Sequence, residues 1–107
     1  MEILKSANVF VEDIYCGILN QTDEGYSFEY DVEYIEKNKK SISLTMPLSN
    51  KLYESKILFP FFDGLIPEGW LLQKVVQKWK LDHKDRFSIL LVSSKDSIGN
   101  VTVEERK

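Results

Sequence analysis

The chain has little of what usually advertises chemistry. It contains one cysteine, Cys16, in 107 residues, so no internal disulfide can form, and a reducing cytoplasm is the expected setting. It contains one histidine, His83, flanked by Asp82 and Lys84 in what reads as an exposed connection between helices. With no second His or usable Cys nearby, no metal site is expected. No apolar run approaches the ~18 residues that a membrane span requires. The N-terminus, MEILKSANVFVED, carries acidic residues and no long apolar core, so it is not read as a signal peptide. There is no excess of positive charge: 14 Lys and Arg face 17 Asp and Glu, a net of −3. Direct nucleic-acid binding, which needs a clustered basic footprint, is not expected. The charge is uneven, with nine acidic and four basic residues in 1–40, against eight and ten in 41–107. The acidic half could steer a basic partner, or simply be a solvated surface.

Catalytic constellations are missing too. Neither GxxxxGK[ST] nor GxGxxG occurs, so no phosphate cradle of known type is present. The polar loop at 93–99, with one glycine, is a weak phosphate signal. Glu12-Asp13 and Asp23-Glu24 suit turns, and Glu33 and Glu36 suit a solvated face, which leaves no paired carboxylates for acid–base work. Cys16 lies on a strand with no cationic neighbour to activate it and reads as a small apolar filler. The expectation is a binding module without catalytic residues, cofactor or metal.

What is present is an ordinary globular composition, 43% hydrophobic and 29% charged, of a length that fits one domain over 1–107. Strand-like alternation appears at Asn8 to Val11, at Ile14 to Leu19, and at Tyr26 to Tyr30, with turns at Glu12-Asp13 and at 21–25. Asp31 can cap a helical turn over Val32 to Glu36. Ser41 to Met46 alternates again and predicts a strand with Ile42, Leu44 and Met46 inward. Short helices are expected over Pro60 to Leu65, over Trp70 to Lys80 with Pro67 opening it, and from an Asp85 cap to Val92 with Phe87, Leu90 and Leu91 inward. Ile98 to Val103 predicts a last strand. Strands, then helices, then a strand make an α+β fold: a small antiparallel sheet packed against three to four short helices.

The least ordinary stretch is FPFFDGLIPEGW, residues 59–70. On a wheel of 100° per residue, Leu72, Val75, Val76 and Trp79 form one stripe, the expected core face. Trp70 lies about 200° from Leu72, on the side of Gln73, Lys74 and Gln77. Two readings stand at this point. Trp70 folds back over Gly69 onto Phe61 or Phe62, or it is an exposed anchor for another protein, tryptophan being enriched at interface hot spots.

Three segments together, SISLTMPLSN, FPFFDGLIPEGW and LDHKDRFSILLVSSKDSIGNVTV, resemble the N-terminal subdomain of HipA-type serine/threonine kinase toxins over about residues 9–103. The matching residues are Ser43, Leu44 and Pro47; Phe61, Phe62, Asp63, Leu65 and Pro67; Asp85, Phe87, Leu90 and Leu91; and Gly99 and Val101. The kinases of that family continue well beyond this subdomain, whereas this sequence reaches Lys107 with no HRD-like loop, DFG-like metal ligand or Gly-rich loop. Read as free-standing, such a chain resembles the HipS group of small antitoxins from three-part HipB–HipS–HipT systems. The resemblance implies binding in trans to a HipT- or HipA-like serine/threonine kinase and silencing of it. It also implies a HipB-like helix-turn-helix DNA-binding protein in a ternary complex. A subunit that completes the kinase fold without inhibiting it is the alternative. On this reading Trp70 is the anchor, with Asp63, Gly64, Glu68, Gly69, Lys74 and Gln77 bordering the contact, and Phe61, Phe62, Leu65 and Ile66 supporting the loop from the core.

Overall fold

A computed structural model describes residues 2–38, 40–93 and 100–106. The fold is α+β: five antiparallel strands and four helices. Strand β1 (Ile3–Val11) and β2 (Ile14–Thr22) form a hairpin, followed by β3 (Gly25–Tyr30), α1 (Val32–Lys37) and the short β4 (Tyr53–Ser55). Helices α2 (Pro60–Asp63), α3 (Gly69–Trp79) and α4 (Arg86–Ser93) come next, and β5 (Val101–Glu105) closes the sheet in the order β4-β3-β2-β1-β5.

The β1–β2 turn shows how local chemistry sets register. Glu12 and Asp13 both take positive φ, 50° and 68°, the geometry of the two-residue turn whose twist matches its strands. Register slips between Val9 and Phe10, where Gly17 and Tyr15 are the successive partners. A Cβ on Gly17 would meet the Glu29 carbonyl oxygen at 2.4 Å, so only glycine lets β3 pass this bulge.

One face of the sheet carries the core. Ala7, Val9, Leu19, Phe28 and Val103 are fully enclosed on it. Phe28 meets Phe62 of α2 at 5.6 Å between ring centroids, and Tyr26 meets Phe87 of α4 at 6.1 Å, which places both helices against this face. Pro60 takes the first position of α2, as its fixed φ favours. Asp31 caps α1 by accepting from the Tyr34 amide at 3.3 Å. Asp85 caps α4 by accepting from the Ser88 amide at 3.2 Å and from its hydroxyl at 2.7 Å. On the opposite face Ser6, Asn20 and Ser27 stand in register across three strands, joined by hydrogen bonds of 2.6 and 3.4 Å.

The structure corrects the reading of residues 41–46. They form no strand, only a single bridge between Ser43 and Met46. Ile42 and Met46 are buried as expected, but Leu44 is 98% exposed at the tip of the turn. Alternation failed because the loop is held by tyrosines and not by a neighbouring strand. Tyr30 hydroxyl donates to the Met46 carbonyl and accepts from the Ile42 amide, Tyr34 donates to Lys40, and Tyr53 donates to Pro47. The edge strand is instead β4, a segment to which the sequence reading assigned no element. Strand β1 begins at Ile3, five residues before the expected Asn8, and the last strand runs Val101–Glu105. Ile98 and Gly99, the expected start of that strand, lie outside the described residues.

Candidate protein-binding site

Helix α3 owes its direction to Gly69. That residue has φ +61°, and nothing lies within 4 Å of where a Cβ would sit, so the requirement is purely one of backbone conformation. Glu68 occupies the cap position without a side-chain bond, and Pro67 stands outside the helix, two residues before its start, instead of opening it. The helix ends in a left-handed residue, Lys80, with the Leu81 amide donating to the Val76 carbonyl at 3.0 Å. This is a Schellman-type closure.

The fold resolves the orientation of Trp70: it is 70% exposed instead of folded back onto the phenylalanines. Lys74, one turn on, places its ammonium 5.1 Å from the ring centroid, a cation–π contact on the helix surface. Gln73, Lys74 and Gln77 are exposed around it, and so are Gly64, Glu68 and Gly69. Asp63 differs from these neighbours. Its carboxylate accepts from the Arg86 guanidinium at 2.9 Å and ties α2 to α4. Phe62 and Ile66 are buried and Phe61 and Leu65 half-buried, so the loop before α3 rests on the core as expected.

Trp79 corrects the sequence reading. It belongs to the core-facing stripe by phase, yet it is 52% exposed. Val76 is the one buried residue of α3, with Leu72 and Val75 half-buried, and α3 packs chiefly on α4. The core therefore ends at Val76 and the last turn projects past it. Lys78 lies over the Trp79 ring at 5.8 Å. Periodicity gives the direction of a side chain and cannot say whether anything fills the space there. Leu71 is exposed as well. The helix thus displays two tryptophans, a leucine and two lysines, and no acidic side chain from Gly69 to Trp79.

Burial pushes the Cys16 thiol up to about 12, with Tyr34 beside it, so it stays protonated. Among the described residues no helix is long and apolar enough to cross a membrane.

The family model for the HipA N-terminal domain matches residues 7–104. The chain belongs to the HipA N-terminal domain family. An uncharacterized protein of Haemophilus influenzae is 31% identical to it over 106 residues, covering 99% of this chain and 97% of that one. A solved structure described as the N-terminal domain of HipA toxin superposes with a TM-score of 0.78 at 28% identity, covering 100% of this chain and 97% of the other. These likenesses support a HipS-like small domain. A HipA N-terminal domain is not by itself a catalytic kinase domain. Sequence and fold agree on the family; the exposed tryptophan and lysine side chains on α3 are a feature that the domain's own core does not use.

Proposed function

We propose that this protein is an antitoxin that binds a HipA- or HipT-like serine/threonine kinase in trans and inhibits it through α3 and the preceding FFDGLIPEGW segment. The carrying observation is Trp70, a large apolar side chain 70% exposed on the outward face of a short helix. Exposed tryptophan contributes nothing to this domain's own core and supplies the kind of rigid, desolvatable contact that dominates protein interfaces. Trp70 enters a cleft of the kinase. Asp63, Gly64, Glu68, Gly69, Lys74 and Gln77 border the contact, and Asp63 is also tied to Arg86. A HipB-like DNA-binding protein completes the assembly on its operator.

The test is calorimetric titration of wild-type and Trp70→Ala protein into such a kinase, with a phosphorylation assay on the same samples. The substitution is expected to cost on the order of 2 kcal/mol, roughly thirtyfold in affinity, and to release kinase activity. Unchanged affinity sinks the assignment of Trp70. Tight binding that raises activity establishes the alternative, a subunit that completes the kinase fold.

A further inference from the structure

The outer face of the sheet carries a second surface, separated from α3 by the sheet itself. Residues 12–36 hold eight carboxylates and no lysine, arginine or histidine. The rest of the chain holds nine carboxylates against 14 lysines and arginines, so the charge is divided unevenly along the chain.

At the α1 corner Glu29, Asp31 and Glu33 of this segment stand beside apolar side chains. Ile18 follows in register with Glu29 on the next strand, each next to a core residue in sequence and therefore on the outward side. Tyr15 packs edge-on against Phe10, ring centroids 5.9 Å apart. Val32 is 63% exposed, and Ile14 is exposed as well. Two adjoining hollows of about 360 and 290 Å³ share Tyr15 and Asp31 as their common wall. The first is lined further by Ile18, Glu29 and Val32, the second by Ile14, Glu33 and Lys37. Lys37 is committed to Glu33 at 2.6 Å, and among the described residues no basic side chain lines the first hollow, where Glu29 and Asp31 face an incoming group. The environment acts on the Tyr15 phenol accordingly: burial raises its pKa most, Arg106 opposes, and Asp31 and Glu29 raise it further.

We infer that this acidic-walled apolar groove, formed by Tyr15, Ile18 and Val32 between Glu29 and Asp31, docks a protein segment that carries lysine or arginine beside an apolar side chain. Charge complementarity selects the cation and repels nucleic acid; the aromatic and aliphatic walls demand a side chain that a simple cation lacks. Because α4 lies against the other face and α3 packs on α4, such a segment can bind while Trp70 is occupied.

The experiment titrates the isotope-labelled full chain with an acetylated hexapeptide alternating lysine and leucine and follows backbone amide shifts. The expected shifts centre on Tyr15, Ile18, Glu29 and Val32 and weaken with added salt. A lysine–serine hexapeptide of equal charge is expected to bind ~tenfold more weakly, and Glu29→Lys to weaken the lysine–leucine peptide by a similar factor with the melting temperature unchanged. Lys74→Glu leaves the affinity as it was. Equal binding of both peptides reduces the groove to a diffuse acidic surface and overturns the inference. So do shifts confined to α3. A concentration-dependent dimer in sedimentation, abolished by Glu29→Lys, overturns it in favour of a second copy of this chain.

Discussion

Helices α3 and α4 are neighbours in sequence and pack on each other, yet they use their apolar residues in opposite ways. In α4 five of eight residues are buried, including Phe87, Ile89, Leu90 and Leu91. In α3 only Val76 of eleven is buried, although the helix contains two tryptophans, two leucines and two valines. Helix α4 lies between the sheet and α3, so every side of it meets protein. Helix α3 rests on α4 along one narrow line and leaves the rest of its apolar surface unused. A helix apolar on more than one face is normally buried on more than one face. The difference teaches that α4 belongs to this domain's stability, whereas most of the apolar surface of α3 does nothing for the core and is free for the contact proposed above.

Paired substitutions break this comparison most directly. Phe87→Ala is expected to destabilise the domain by about 3–5 kcal/mol, read by urea unfolding. Trp70→Ala removes a larger ring and is expected to stay within about 0.5 kcal/mol of wild type. Similar losses from both would mean that α3 is as much a part of the core as α4. The core side of the comparison also has a pH signature. Burial raises Cys16 from 9.0 to about 12 and Tyr30 from 10.0 to about 12. The native state therefore holds these protons more tightly than the unfolded chain does. Their contribution is complete below pH ~9 and is lost as pH rises from there toward 12. Thermal unfolding across pH 8 to 12 should show this fall, and Cys16→Ala should make it shallower.

Smaller effects sharpen the contrast at the start of α3. Gly69→Ala meets no atom but forces a Cβ into left-handed backbone, at a cost of about 1–2 kcal/mol, with fraying of the first turn visible in amide exchange. Asp63→Asn removes the α2–α4 ion pair. Both partners are more than a third open to solvent, so the expected loss is under about 1 kcal/mol and shrinks further in high salt.

Much of the fold was legible because its signals are local. Asp31 and Asp85 announce caps, Glu12-Asp13 a tight turn, Pro60 a first helical turn, and Phe28 and Tyr30 an inward strand face; each acts within a few residues of itself. The candidate site was legible for a related reason: a tryptophan out of phase with its helix stands out in one dimension. The misreadings share a cause. Leu44 alternates with Ile42 and Met46 and still points to water, because three tyrosines from elsewhere in the chain hold that loop. Trp79 keeps phase with Val76 and still lies half in solvent.

By itself, then, the sequence determined the α+β class, the caps and turns, the helix phases and the uneven charge, since propensity, capping and periodicity depend on near neighbours. Only the tertiary structure decided where the core stops along α3, that β4 and not residues 41–46 forms the sheet edge, and that Glu29, Asp31 and Glu33 meet Tyr15 and Val32 at the α1 corner. Burial depends on what the rest of the chain brings to a place, and no periodicity within one element carries that information.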